Sequence, residues 1–163
     1  MPPLAPHIRR LAASGLAVAF LGAAIPAAQA QRAEVFQSKR PDYAANDLAV
    51  GGHDPVAYHT QNAAVPGNPQ FRVSWKGAEW QFASRANLDL FVAQPDRYAP
   101  QYGGYCAFAV AGGSTAPGDP KLFDLVGGKL YLNLSSSTQS SWRRDQAGMI
   151  QRGDQNWPRI IGR

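Results

Sequence analysis

The sequence predicts a small α+β domain, in which an antiparallel sheet built from hairpins carries helices packed against it. Large apolar and polar residues alternate over 71–75 and again over 79–82, on either side of Lys76-Gly77, as two half-buried strands of a hairpin would. A second pair of β-prone runs, 122–126 and 129–132, flanks Gly127-Gly128. The order of strands, helix, strands and helix favours α+β over a parallel architecture.

The first thirty residues predict an export signal. Arg9 and Arg10 precede an apolar stretch that runs to about Ile25 and ends in Ala28-Gln29-Ala30, which is the arrangement of a cleavable secretory leader. A membrane span needs about 20 strongly apolar residues, and this stretch is diluted by glycine, serine and many alanines. We therefore expect cleavage near Ala30, a periplasmic or secreted protein, and no stable membrane span afterwards. General secretion and the twin-arginine route both remain open.

Removal of residues 1–30 leaves 133 residues, which is enough for one domain but not for two. The leader holds two of the 16 basic residues and no acidic one, so the mature chain has a net charge of +3. The basic residues are spread along the chain and alternate with acids. This pattern indicates a solvated surface and gives no support for a nucleic-acid partner.

The remaining elements are predicted in chain order. Residues 31–47 form an N-terminal arm, and Gly51-Gly52 makes a turn that leads into a strand over 53–59. Residues 62–70 are a loop by composition. Ser84 is placed as the N-cap of a helix that ends at Gln94-Pro95.

The second half of the chain predicts three further helical pieces. One short helix begins near Gln101, with Tyr105, Phe108 and Ala109 on one face, although Gly103-Gly104 weakens its first turn. Ser135–Ser137 offers caps for a helix through Trp142, and another helix runs from Ala147 toward Trp157-Pro158. Residues 159–163 are a C-terminal tail.

Three segments of the chain resemble the YHS domain family, and in particular its exported single-domain branch. They are His53–Tyr58, Trp75–Ser84 and Phe91–Tyr98. A Tyr-Gly-Gly-Tyr-Cys-Ala segment at 102–107 and a Gly-Lys-Leu-Tyr-Leu-Asn hairpin at 128–133 follow, as they do in that branch. The resemblance covers about residues 48–158 and implies a small α+β domain associated with metal.

The chain departs from the family pattern at its cysteines. Metal-associated members carry cysteines where this chain has Ala57 and Ala83. The exported branch has aromatic residues where this chain has His53 and His59. The usual thiol ligands are therefore missing, and two imidazoles are present instead.

The only cysteine of the chain, Cys106, is the centre of the functional hypothesis. An exported protein cannot pair a lone cysteine with itself, so Cys106 is buried, bound to metal, or available to another molecule. Thiolate with imidazole suits copper or zinc, which makes Cys106, His53 and His59 a candidate metal site. Six residues of extended strand span about 20 Å, so either the chain folds back near Pro55 or at most one histidine joins Cys106.

We expect an exported protein that binds a transition metal, most plausibly copper with zinc as the alternative, for storage, delivery or sensing. Its partner would be the metal ion or a metal-handling protein, and the oligomeric state stays open. The alternative is a non-metal binding or interaction module with an aromatic-lined pocket for a small ligand or a partner segment. The candidate pocket residues are Tyr58, Tyr102, Tyr105 and Phe108.

Enzymatic chemistry has no support in the sequence. It contains no glycine-rich phosphate loop and no G-x-S-x-G elbow. A thiol-dependent redox role is a third reading of Cys106, disfavoured by its apolar neighbours Tyr105, Ala107 and Phe108.

Overall fold

The computed structural model of the chain describes residues 34–35, 37–38 and 48–162. The predicted leader and most of the predicted arm lie outside these residues. The strands are β1 (Gln37–Ser38), β2 (Leu48–Ala49), β3 (Asn68–Trp75), β4 (Ala78–Phe82), β5 (Asp119–Val126) and β6 (Lys129–Asn133). The helices are α1 (Pro55–Gln61), α2 (Arg85–Ala93), α3 (Pro95–Tyr98), α4 (Ala107–Ala111), α5 (Ser136–Arg143) and α6 (Gln146–Ile160).

The strands form a four-stranded sheet and a separate hairpin, which confirms the α+β class. The larger sheet has the order β1-β2-β4-β3, and the hairpin joins β5 to β6. All pairs are antiparallel except β2 with β4, which meet in parallel where Leu48 lies opposite Glu79. That one pairing makes the larger sheet mixed.

Both predicted hairpins are confirmed, and their turns explain their register. Lys76 and Gly77 have φ values of 48° and 75°, and Gly127 and Gly128 have 58° and 75°. Two central residues with positive φ make the turn type whose twist matches that of paired strands. Trp75 consequently faces Ala78 across the first turn.

The prediction of a strand over residues 53–59 was wrong, because α1 begins there. Asp54 is the N-cap of α1, with its side chain accepting from Val56 N–H and Ala57 N–H, and Pro55 occupies the first helical turn. A capping aspartate followed by proline is a helix start signal. The β-prone run Val56-Ala57-Tyr58 concealed this signal in the sequence.

The Asp54 carboxylate also joins α1 to two other elements. Its Oδ2 accepts hydrogen bonds from the Ala83 N–H at 2.8 Å and from the Asn87 side-chain amide at 2.6 Å. Asp54 is fully buried. One side chain therefore holds together the start of α1, the end of β4 and the first turn of α2.

Two apolar clusters form the core, and β6 lies between them. The first cluster contains Trp80, Phe82 and Phe91 together with Leu130 and Leu132 of β6. Residue 131 points the other way, because successive side chains of a strand face opposite sides. It joins the second cluster, whose buried members are Tyr102, Ala107, Val110, Tyr131 and Trp142.

The short helix predicted from Gln101 is split into two pieces. Gln101–Gly104 is a 3₁₀ turn interrupted by left-handed conformations at Tyr102 and Gly103, and α4 begins only at Ala107. A side chain at Gly103 would overlap the carbonyl oxygen of Glu34. The glycine thus lets the described part of the N-terminal arm pack closely against this segment.

That part of the arm is integrated into the fold. Val35 is buried in the first cluster, and β1 pairs with β2. The arm therefore contributes to the core rather than only leading into it.

The C-terminal helices agree with the prediction, except that the last extends further. Ser135 caps α5 in a capping box, and α6 continues through Pro158 to Ile160. Across residues 34–35, 37–38 and 48–162, every helix is too short or too polar to cross a bilayer.

Replacement of Asp54 by asparagine tests its role as a junction. The Asp54→Asn side chain keeps one oxygen but turns an NH₂ group toward N–H donors, so we expect the free energy of unfolding to fall by about 2–4 kcal/mol. Urea denaturation measures this change.

The matched control is Asp89→Asn, because Asp89 forms an exposed i,i+4 pair with Arg85 at 2.8 Å. It should change stability by less than about 0.5 kcal/mol. Equal effects of the two substitutions would show that the Asp54 junction is not important for stability.

Candidate functional site

Cys106 is a buried thiol that contacts two residues at the end of β6, Asn133 and Leu134. It is 1% exposed and immediately precedes α4. The Leu134 N–H donates to its Sγ at 3.3 Å, and Sγ lies 3.7 Å from Oδ1 of the buried Asn133. These contacts tie the start of α4 to the end of β6.

The two histidines of the predicted metal site lie on either side of the start of α1. His53 precedes the helix, and its Nδ1 is 3.3 Å from the carbonyl oxygen of Val50. His59 is on the helix, edge-on to the Tyr98 ring at 5.4 Å. His53 has an extended backbone outside the helix, whereas His59 lies in its second turn. The two rings also have different charged neighbours, Lys121 and Asp119 at His53 and Arg97 at His59.

Burial lowers the pKa of both imidazoles. Desolvation is the largest cause at His53 and outweighs the opposing effect of hydrogen bonding to the Val50 carbonyl. Desolvation is also the largest cause at His59, and the nearby Arg97 lowers that pKa further. Both rings are consequently neutral near pH 7.

The described residues do not join Cys106, His53 and His59 into a three-ligand centre. No group of three histidine, cysteine, aspartate or glutamate side chains within the described ranges is arranged to hold a metal ion. A closed zinc site needs four such ligands. A metal held by Cys106 with one histidine stays a prediction.

The predicted pocket residues are divided between core and cleft. Tyr58 is fully buried and donates a hydrogen bond to the carbonyl oxygen of Pro120 at 2.9 Å. Tyr105 and Phe108 pack against the second apolar cluster. Tyr102 lines a cleft, which we call the Tyr102 cleft.

The Tyr102 cleft lies where the N-terminal arm, the β3–β4 turn and α6 meet. It has a volume of about 320 Å³. Its aromatic walls come from Trp75, Tyr102 and Trp157, and the fully buried Trp80 packs against Trp75. Its charged groups are Glu34, Lys76, Asp96 and Asp154.

Several contacts hold Tyr102 rigidly as one wall of this cleft. Its backbone is left-handed, with a φ of 55°. The hydroxyl donates to Asp154 Oδ1 at 2.9 Å and lies 3.2 Å from the carbonyl oxygen of Ile150. A Cβ on Gly153 would come within 2.5 Å of that hydroxyl, so α6 approaches Tyr102 closely because residue 153 is glycine.

Burial, and then the contact with Asp154, raise the pKa of the Tyr102 phenol far above its ordinary value. Burial likewise raises the pKa of the neighbouring Tyr131 to about 12. The Tyr102 hydroxyl therefore stays protonated and acts as a hydrogen-bond donor, not as a base.

Sequence reasoning missed most of the cleft. The sequence predicts Trp75 as a strand residue, Lys76 as a turn residue and Trp157 as the end of a helix. Trp75 and Lys76 are adjacent, but Trp157 lies far along the chain in α6, and no local pattern links it to them. The one available signal was the lysine at position 76, because two-residue turns of this type favour asparagine or aspartate before glycine.

The family model of the YHS domain matches residues 56–102. This match confirms the resemblance seen in the sequence, and the family is associated with binding of heavy metals. The matched segment begins in α1 and ends at Tyr102, so it includes His59 but neither His53 nor Cys106. Comparison with curated proteins and with solved structures gave no match.

The lowered pKa of His53 predicts a pH dependence of stability. As the pH falls below 6.5, the ordinary pKa of histidine, the unfolded chain takes up a proton before the folded chain does. The free energy of unfolding should therefore decrease from pH 7 to pH 5.5. Urea titrations at several pH values should show a shallower decrease for His53→Asn than for the wild type. Identical slopes would contradict burial of His53 as the cause.

Proposed function

We propose that this chain, whose residues 56–102 match the family model of the YHS domain, is an exported binding protein whose Tyr102 cleft holds a small organic ligand. The cleft itself carries the proposal, since it combines a volume of about 320 Å³ with aromatic side chains from Trp75, Tyr102 and Trp157. Ligand pockets typically have volumes of about 300–1,000 Å³, aromatic linings and a few well-placed polar groups.

The rigidity of the walls supports binding. Tyr102 is fixed by Asp154 and by the close approach of Gly153, and its ring lies 5.9 Å from that of Trp157. Trp75 is packed edge-on against Trp80 at 5.5 Å and against Phe91 at 5.5 Å. A preformed site loses little conformational entropy when its ligand binds.

Export is part of the proposal and is supported by the leader-like residues 1–30. Cleavage near Ala30 would leave Glu34 and Val35, two residues that line the cleft, on the mature chain. The cleft would then operate in the periplasm or outside the cell.

Three probes of similar shape and different charge test the cleft as a ligand site. Benzyl alcohol, benzylammonium and benzoate would each be titrated into the mature protein and followed by two-dimensional ¹H–¹⁵N NMR. We expect saturable shifts of the indole N–H signals of Trp75 and Trp157 and of the Gly103 amide with at least one probe. The absence of saturable shifts with all three probes would contradict the proposal.

A substitution in the cleft wall locates the binding. Trp157→Leu should weaken binding of the active probe about fivefold, which corresponds to about 1 kcal/mol of aromatic contact. Trp142→Phe is the matched control, because Trp142 is fully buried in the second cluster and does not line the cleft. Thermal denaturation of both variants checks that each remains folded.

A second candidate function is binding of copper through Cys106, for storage, delivery or sensing, with zinc as the alternative metal and a metal-handling protein as partner. The observation that favours it is the position of the thiol, four residues after the end of a segment that matches a metal-associated family. The Sγ atom already accepts a hydrogen bond from the Leu134 N–H. Cu(I) is the soft ion that a thiolate binds best.

Cu(I) titration in the presence of a competing chelator tests this candidate. Mature protein should take up Cu(I), and Cys106→Ser should abolish the uptake because it removes the thiolate. Met149→Leu is the matched control, since Met149 carries the other sulfur of the mature chain. Unchanged affinity in Cys106→Ser would rule out copper binding through this residue.

A further inference from the structure

The charged groups around the Tyr102 cleft are mostly acidic. Of the described residues that line it, three are carboxylates, Glu34, Asp96 and Asp154, and one is a cation, Lys76. Asp154 uses Oδ1 to accept the Tyr102 hydrogen bond and is an exposed residue. The charge of this described lining is therefore negative, although the mature chain as a whole is positive. Such a site attracts cations and disfavours anions.

The cleft already holds one ammonium group, that of Lys76. Its Nζ lies 4.4 Å from the centroid of the Trp75 ring. The same atom is 3.1 Å from Glu34 Oε1 and 3.3 Å from Asp96 Oδ1. An ammonium over a tryptophan face between two carboxylates combines cation–π attraction with ion pairing.

The backbone of Lys76 is not one that lysine favours. With a φ of 48°, residue 76 has a left-handed conformation that asparagine or glycine adopts more readily. The turn thus provides no reason for lysine at this position. The contacts of its ammonium group with Trp75, Glu34 and Asp96 are therefore the feature that distinguishes lysine at this position.

We propose that the ligand of the Tyr102 cleft is a small organic ammonium, which binds by displacing the Lys76 ammonium from the Trp75 ring. This inference rests on the proposed function, because it requires the cleft to be a ligand site. The incoming cation would take the position over Trp75 near Glu34 and Asp96, and the Asp154 carboxylate supplies further negative charge. Lys76 is exposed, so its displaced side chain can move into solvent, where water hydrates the ammonium group.

Choline and 3,3-dimethyl-1-butanol provide a matched pair of probes, because they have nearly the same shape and differ in charge. Isothermal titration of the mature protein should show that choline binds at least about tenfold more tightly than the neutral alcohol. Raising the salt concentration should weaken choline binding and leave the alcohol unaffected.

Two substitutions test separately whether the Lys76 ammonium competes with choline and whether the Asp154 carboxylate attracts it. Lys76→Asn removes the competing ammonium and suits the left-handed turn, so it should fold at least as well as the wild type and bind choline about threefold to tenfold more tightly. Asp154→Asn can still accept the Tyr102 hydrogen bond but lacks the charge, so it should weaken choline binding. Lys129→Asn is the control for Lys76→Asn, because both substitutions remove one positive charge. Lys129 is on the β5–β6 hairpin, away from the residues that line the cleft.

The outcomes distinguish this inference from the function on which it rests. Equal affinity for choline and the neutral alcohol, or binding of benzyl alcohol or benzoate without choline, would overturn the ammonium inference and leave the cleft as a ligand site. Unchanged choline affinity in Lys76→Asn would overturn the displacement of Lys76. Failure of choline and of all three benzyl probes would overturn the proposed function as well.

Discussion

The buried carboxylate of Asp54 is the interaction on which the arrangement of the first half of the domain depends. Its two oxygens accept hydrogen bonds from α1, from the residue after β4 and from α2. A fully buried carboxylate is stable only where donors surround it, so the three elements must meet at this point. The position of β4 in turn fixes the β3–β4 turn, and with it Trp75 and Lys76 at the edge of the cleft.

The strand β6 joins the two apolar clusters, as Asp54 joins the elements of the first half of the domain. Leu130 and Leu132 pack into the first cluster and Tyr131 into the second, so one strand sets the distance between them. Tyr102 lies against Tyr131 at 5.8 Å and belongs to the second cluster, whereas Trp75 and Trp80 pack in or against the first. The Tyr102 cleft is therefore a consequence of how the two clusters are joined.

Local features of the sequence predicted the parts of the fold that local interactions determine. The two hairpins followed from their turn residues, and α2 and α5 from the caps Ser84 and Ser135. The error at α1 arose because the β-prone run Val56-Ala57-Tyr58 concealed the helix start signal of Asp54-Pro55. The contacts of Asp54 with Ala83 and Asn87 are long-range and leave no local pattern. Tyr102 was found through its motif, but Glu34 and Trp157 reach the same cleft from opposite ends of the chain. Spacing alone cannot reveal such long-range convergence.

The close contact between Gly103 and the Glu34 carbonyl affects how short the chain can be while the Tyr102 cleft stays complete. Residues 34 and 35 supply one wall of the cleft and one carboxylate for Lys76, yet they precede both the matched segment 56–102 and the predicted domain boundary at residue 48. A protein shortened to begin at residue 48 would contain the residues of both hairpins and of all six helices named above. It would lack Val35 of the first cluster, and its cleft would be open on one side. Grafting the matched segment alone onto another protein would transfer even less, because Asp154 and Trp157 come from α6. The cleft in which we propose that a ligand binds is thus built from residues on both sides of the family segment as much as from the segment itself.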